Sequence, residues 1–398
     1  GWRGEEQDTV IETTGGLIDE SIARKTFSGK LNLNAPISLP RPLPGEVTLN
    51  GNIDLRHLSD FGLLTTLGAG ATWRPLDRLR LLLSFTEEDG APTLENLGAP
   101  LVTTPNTRIF DFQTGTDVFA PQISGGSPDL LTDSRRVYKL GLQWTPQETP
   151  RFQVNVDYTR SRIENEVRTF LLLTDAFETA FPDRIIRDVS GQLLSFDRTP
   201  VQASLSRRDA IRTVLSFSKR LKAKRVRRRG PPPKKRRRSG RPGSLRLSVV
   251  HNWTLKDQVE ISDNTPAFDF LNGASGIGLG GTPAHIVDLS VNRWNNGFGL
   301  TATGRYQSGS FVDSPEGDLS FSDLILTNIR LSYEFNYNDL ILNVAPFLEE
   351  TRVSFGIDNM LDQRLSVTDD LAGTPLNFQQ DILDPLGRTF RFEIRRRF

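Results

Sequence analysis

The sequence predicts an all-β chain whose strands build an antiparallel transmembrane barrel, on three observations. Apolar residues return with a two-residue period, the links between the periodic segments alternate between short and long, and aromatic residues gather at both ends of the segments.

The period is clearest from Ile325 to Phe335. One face reads Ile325, Thr327, Ile329, Leu331, Tyr333, Phe335, and the other Leu326, Asn328, Arg330, Ser332, Glu334. A helix would mix the two sets, whereas side chains alternate across a strand. The same split separates Phe152, Val154, Val156, Tyr158 from Gln153, Asn155, Asp157, Thr159, and Tyr138, Leu140, Leu142, Trp144 from Lys139, Gly141, Gln143. Thirteen such segments begin near Phe27, Val47, Leu63, Leu79, Val137, Phe152, Ile211, Leu245, Val287, Phe298, Ile325, Val353 and Phe390, with a weaker fourteenth over Val10–Ile18. The organisation that follows is a polar N-terminal segment, 1–26, holding that weak strand, and a barrel body, 27–398, interrupted by a basic linker at 219–242. No apolar run approaches the roughly 18 residues of a membrane-crossing helix. Barrels escape that limit, because one of their strands needs only about ten residues with every second one apolar.

Soluble sandwiches also alternate, and the links separate the two readings. Pro75–Asp77, Pro146–Pro150 and Asn295–Asn296 are tight, and Asn296-Gly297 is a favoured hairpin turn. The intervening links, Glu88–Arg136, Glu164–Arg208, Lys256–Ala284 and Asn359–Gly387, are long. Outer-membrane barrels have short periplasmic turns and long outer loops, so strand parity gives every link a side. Under that parity Trp73, Trp144, Phe152, Phe217, Phe298, Phe335 and Phe398 fall at periplasmic strand ends, and Phe85, Tyr158, Trp253 and Tyr306 at outer ends. These are the two aromatic belts expected where hydrocarbon meets headgroups. The inward face, toward lumen or plug, carries Arg305, Arg330, Glu334, Arg352, Asp358, Arg391, Glu393 and Arg395. A charge on the lipid face costs roughly 2 to 4 kcal/mol near the midplane. Arg396 is the visible exception, close enough to its strand end to reach the headgroups.

The chain has 398 residues and a formal charge of +1, which hides an uneven distribution. Lys219–Arg241 holds 14 basic and no acidic residues, leaving 35 basic against 48 acidic elsewhere. Zero cysteines exclude disulfides, Cys-ligated metals and a thiol nucleophile. Gly1–Asp8 shows no basic start or apolar core, so no signal peptide is read there.

The C-terminal stretch carries a family resemblance. Asn359-Met360-Leu361-Asp362-Gln363-Arg364, then Asp384-Pro385-Leu386-Gly387-Arg388-Thr389-Phe390, and a terminal Phe398 resemble the end of a TonB-dependent outer-membrane receptor. The family's usual Asn-Leu-Phe-Asp is departed from at Met360-Leu361. Ala91-Pro92-Thr93-Leu94 with Leu97-Gly98, Gly125-Gly126-Ser127-Pro128-Asp129-Leu130 and Phe270-Leu271-Asn272-Gly273 extend the resemblance over Phe27–Phe398. It implies a plug-gated barrel of about 22 strands. It also implies partners: the lipid bilayer and lipopolysaccharide, the TonB complex acting through a plug, and barrel-assembly machinery reading Phe398. Nothing before Phe27 is long enough to be a plug, so the chain reads as the C-terminal part of such a receptor.

The basic tract, with Pro231-Pro232-Pro233 at its centre, reads first as a self-repelling linker and second as a ligand of anionic lipid on the periplasmic side. Nucleic acid comes last, because no aromatic interleaves the tract to stack bases. Gly276, Gly278, Gly280 and Gly281 mimic a dinucleotide fingerprint but lead through Thr282-Pro283 into a strand, not a helix. His57, His251 and His285 are far apart in sequence and fit no metal motif. Glu87-Glu88-Asp89 and Asp369-Asp370 read as solvated acids of outer loops. Contacts to a small ligand are sought in those loops, at Arg108, Phe110, Asp111, Phe112, Phe268 and Phe270. The expected function is uptake of a scarce ligand through the outer membrane of a Gram-negative bacterium, with energy relayed by TonB. No catalysis, cofactor or metal is expected. A passive porin and a soluble β-sheet binding protein are the rivals.

Overall fold

The structure, a computed structural model, describes residues 5–12, 21–38, 45–111, 113–114, 116–169, 175–221, 243–262, 267–274, 281–313, 317–337, 339–370, 373–374 and 376–397. Fourteen strands run as one antiparallel meander, each hydrogen-bonded to the next in sequence. They are β1 (Glu5–Glu12), β2 (Ser21–Ser38), β3 (Glu46–Leu58), β4 (Gly62–Leu76), β5 (Leu79–Gly90), β6 (Asp133–Glu148), β7 (Arg151–Arg168), β8 (Val201–Leu221), β9 (Gly243–Glu260), β10 (His285–Asn295), β11 (Phe298–Gln307), β12 (Leu324–Glu334), β13 (Thr351–Asp358) and β14 (Thr389–Arg396). All thirteen apolar segments fall in β2–β14. The weak fourteenth is displaced toward the N-terminus, to β1, which pairs along its whole length with β2 from Ser21 to Ser28. The sheet therefore begins well before residue 27, since ladder hydrogen bonds recruit a polar strand as readily as an apolar one.

Register sorts the two faces. Leu247, Val291, Ala302, Ile329, Ile357 and Phe390 form one row across β9–β14. One residue along, Arg246, Asn292, Thr301, Arg330, Gly356 and Arg391 form the next. Successive side chains point to opposite faces, so the first row is outward and the second inward. A one-residue slip would exchange them, which pins the register. Among the described residues nothing forms a second layer over the outward side chains: Leu83 is 53% exposed, Leu140 52% and Phe390 66%. A soluble sandwich would press that face against a second sheet about 10 Å away. The soluble rival is thereby set aside, and lipid is the solvent that suits the face. No helix among the described residues is long and apolar enough to cross a membrane.

The rims differ. At one, β4 meets β5 and β6 meets β7 through two-residue links, and β10 meets β11 at Asn296-Gly297, whose φ angles of 47° and 86° make the turn that matches strand twist. Besides the seven-residue link 39–45, two much longer links share this rim, 222–242, which lies outside the described residues, and 335–350. The sequence reading recognised only the first. The second folds locally, with helix Asp339–Val344 and with Tyr337 edge-on to Trp294 at 5.8 Å.

The opposite rim carries the links 91–132, 169–200, 261–284, 308–323 and 359–388, which fold together. The first two build a four-stranded sheet in the order Ile185–Arg187, Leu193–Asp197, Thr116–Ser124, Val102–Asp111. The last two build a three-stranded sheet from Ser310–Val312, Leu319–Phe321 and Val367–Thr368. Both clusters of buried apolar side chains found among the described residues lie here. One centres on Ile109, Phe177, Phe196, Val259, Phe268 and Phe270, the other on Val312, Leu319, Phe321, Val367 and Phe378. A bridge between Gly273 and Val312 joins them. The wall is a single layer, and the caps hold the packed cores.

Candidate functional site

The motifs that carried the family resemblance turn out to be joints of these caps. Thr93 caps the short helix Leu94–Gly98, its hydroxyl accepting from the Asn96 N–H at 3.1 Å. The Gly125-Gly126 pair docks onto that helix, with Gly126 N–H donating to the Ala99 carbonyl at 2.8 Å and Ser127 N–H to that of Asn96 at 2.7 Å. A Cβ on Gly126 would lie 2.7 Å from the helix backbone, so only glycine permits the contact. At the other end, Asn359 and Asp362 both adopt positive φ. The Asp362 carboxylate accepts from the Arg388 N–H at 2.8 Å, and the Asn359 amide donates to the Gln363 carbonyl at 2.8 Å. The terminal motif thus locks the exit of β13 to the entry of β14.

Within the first cap, Asp111 is fully buried and receives both terminal nitrogens of Arg187, at 2.6 and 2.9 Å. Arg187 also donates to Glu178 at 2.9 Å. Hydrogen bonding to Asp111, then to Glu178, raises the Arg187 pKa against the opposing effect of burial, so it stays charged. This charge triad clamps three cap elements together.

Below the cap, Phe270 and Thr282 border a cavity of about 810 Å³ whose remaining walls are the inner faces of β6–β9. Four arginines line it, Arg135, Arg168, Arg208 and Arg212, against two acids, Glu166 and Asp257. Arg168 pairs with Glu166 at 2.6 Å and lies over the Phe270 ring at 5.8 Å, while Arg208 approaches Asp257 at 3.8 Å. Arg135 and Arg212 make no ion pair among the described residues. The cavity has a cationic surplus and suits an anionic guest.

A second cavity, of about 1230 Å³, opens at the tight-turn rim between two stretches of inner wall. Arg151, Arg220 and Arg246 line one side and Arg352, Arg395 and Arg397 the other, with Lys219 and Leu245 at its edge. Strands four or more places apart in the meander border the same space, so the sheet curls around it.

The sequence-derived contact residues disperse. Arg108 pairs with Asp117 across its hairpin at 2.7 Å, exposed on the cap. Asp111, Phe268 and Phe270 are in the cap interior, with Phe268 and Phe270 each 4% exposed; Phe270 alone also borders the cationic cavity. Phe112 lies outside the described residues, as does the side chain of Phe110. Register brings members of the inward set together: Arg305 faces Asp288 at 4.0 Å, Arg391 pairs with Asp358 at 3.1 Å, Arg395 with Glu393 at 2.8 Å, and Glu334 sits opposite Arg352. Arg330 shares their face. Phe398, the basic tract from 222 onward, and Gly276, Gly278 and Gly280 lie outside the described residues.

Three features differ from the sequence reading. The acids Glu87 and Glu88 are paired, with Arg136 at 2.7 Å and Arg56 at 3.2 Å, and Asp89 accepts from the Thr65 hydroxyl at 2.7 Å. The carboxylate of Asp370 accepts from the Asp318 N–H at 3.1 Å. His251 and His285 meet on adjacent strands, ring nitrogens 3.1 Å apart, on the outward face beside Trp253. Lys219 and Arg293 join Arg396 on that face, where only Arg396 was expected. The four cavity arginines were missed because they are spread over three strands, Arg135 on β6, Arg168 at the end of β7, and Arg208 and Arg212 on β8; an inward parity assigned to the outer half of β6–β8 would have found three of them.

No family model matches the chain, and no curated protein does. Solved structures do. The ferric enterobactin receptor PfeA in complex with BCV-L6 aligns with 96% of this chain at a TM-score of 0.56 and 14% identity; the chain covers 46% of that receptor. The siderophore receptor PirA from Pseudomonas aeruginosa aligns with 97% at 0.55 and 13%, covering 51%. The outer membrane transporter YddB from Escherichia coli aligns with 99% at 0.54 and 10%, covering 49%. The chain spans about half the length of these proteins. Together with the exposed apolar face, the likeness shows the antiparallel fold of an outer-membrane β-barrel wall, similar to that of these solved receptors and transporter.

Proposed function

We propose that the chain forms the ligand-receiving wall of an outer-membrane receptor that imports a scarce, anionic small molecule with energy relayed through TonB. The carrying observation is the cavity under the first cap, where Arg135, Arg168, Arg208 and Arg212 outnumber Glu166 and Asp257 on a lumenal wall. A cap with its own core closes the outer rim, while side chains beneath it offer bidentate guanidinium donors to carboxylate, catecholate or phosphate oxygens. The similar receptors named above include one that binds ferric enterobactin, an anionic chelate of this kind. The rest of the wall, a plug and any remaining strands of a 22-strand barrel belong to the same reading, as do lipopolysaccharide outside and the barrel-assembly machinery reading Phe398.

The test is uptake of radiolabelled ferric enterobactin by cells that depend on this protein, with and without TonB. Import that needs TonB and falls at least tenfold in Arg208→Gln/Arg212→Gln supports the reading. TonB-independent permeation of uncharged sugars in a liposome-swelling assay would replace it with the passive porin.

A further inference from the structure

The outward face of the wall sorts its charges differently at the two rims. Toward the capped rim, cations and acids mix: Glu87, Arg136, Arg162 and Arg207 share one row, and Arg160 sits opposite Asp209. Toward the tight-turn rim, the outward wall-strand charges among the described residues are Lys219, Arg293 and Arg396, with no acid between them. Lys219 on β8 and Arg293 on β10 flank Leu245 on β9 in one cross-strand row of the outward face, at the very rim, where Lys219 and Leu245 also border the mouth of the larger cavity. Strands lie about 4.8 Å apart, which places the two backbone positions roughly 9.6 Å from each other. The adjoining row on the same face is apolar, Phe152, Phe217, Leu247 and Val291. Both cations are exposed and neither makes an ion pair among the described residues.

A cation on a lipid face is costly unless its head reaches the interface. Two of them beside an apolar row at one rim, without a carboxylate to pair with, need an anion supplied by the surroundings. From Leu221 the chain continues into the 222–242 link, whose sequence holds twelve basic residues and no acid. We infer that Lys219, Leu245 and Arg293 form a binding site for the phosphate headgroup of an anionic phospholipid in the periplasmic leaflet. Leu245 and the apolar row above it take the acyl chains, and the two side chains reach down to one phosphate between them. The inference rests on the membrane-facing register and stands whether or not the lumen transports anything.

The experiment reconstitutes the full chain, refolded in detergent, into bilayers of phosphatidylethanolamine with or without one quarter phosphatidylglycerol, and counts retained lipids by native mass spectrometry. Wild type is expected to retain phosphatidylglycerol selectively, and the selectivity to fall roughly fivefold for each cation removed in Lys219→Gln and Arg293→Gln. Arg305→Gln, an inward charge, should leave it unchanged. Equal retention by wild type and the double variant, or an equal loss in Arg305→Gln, overturns the site. Full displacement by millimolar inorganic phosphate would show a free-anion site instead, and displacement by an oligonucleotide would reassign the basic rim to nucleic acid. Should a variant fail to refold, salt titration of wild-type selectivity decides: a preference that persists undiminished in high salt is not electrostatic and rejects the inference.

Discussion

The wall and the caps are built from the same chain by opposite means. In the wall, side chains face away from one another, and the strands are held by ladder hydrogen bonds and by the match of each face to its solvent. In the caps, side chains face inward around Phe196 and Phe378, which are 1% and 0% exposed. The wall therefore depends on what surrounds it, whereas the caps depend on their own packing. Substitutions should show this as a difference in kind: polarity errors matter in the wall, volume errors in the caps.

The largest effects are expected in the caps. Phe196→Ala removes the ring that meets Phe177 edge-on at 5.9 Å, and a buried Phe truncation costs about 3 to 5 kcal/mol. Hydrogen exchange should report loosening of 102–124 and 175–200 while protection in β9–β14 is kept; an equal loss in the wall would erase the distinction. Arg187→Met strands the Asp111 carboxylate in the cap interior, again at about 3 to 5 kcal/mol. Limited proteolysis should then cut within 169–200, and resistance equal to wild type would mean that the clamp is dispensable. In the wall, Leu289→Arg on the outward face of β10 should lower unfolding free energy by roughly 2 to 4 kcal/mol, while its neighbour Ser290→Arg, inward, is close to neutral. Equal effects from the two would contradict the assigned faces. The smallest effect is a pH response in the cap. Asp188 accepts from the Ser190 hydroxyl at 2.6 Å and from the Ser190 and Gln192 N–H groups, which hold its pKa below the usual 3.8. A depressed carboxylate stabilises fully above its unfolded value and ceases to as pH falls through the folded one. Protection at Ser190–Gln192, measured against the intrinsic exchange rate, should thus fall only below about pH 4, and a change centred near neutrality would point to another group.

The same contrast decides what was legible in the sequence. Wall strands announce themselves because an exposed apolar face and a polar face leave a period of two, and thirteen of the fourteen were readable from that alone. β1 was nearly lost because its place comes from pairing with β2 and not from its own pattern. The caps have no such period. Phe196 meets Phe268 and Phe270 from a separate link, so their partnership is a property of the fold. Asp111 looked like a ligand contact because a lone acid in an outer loop does, and Arg187, 76 positions away, is what turned it inward. His251 and His285 illustrate the limit in the wall itself: knowing the strands was not enough to place them together without the register of β9 against β10.

The bridge from Gly273 to Val312 has a mechanical side. Gly273 holds φ at +94°, and any Cβ there would collide with the Asp313 carboxylate. The Asp313 N–H reaches back to the Gly273 carbonyl at 2.9 Å. Gly281 also lies against Phe311 of the second cap, so a displacement of either cap is passed to the other through backbone rather than through adjustable side chains.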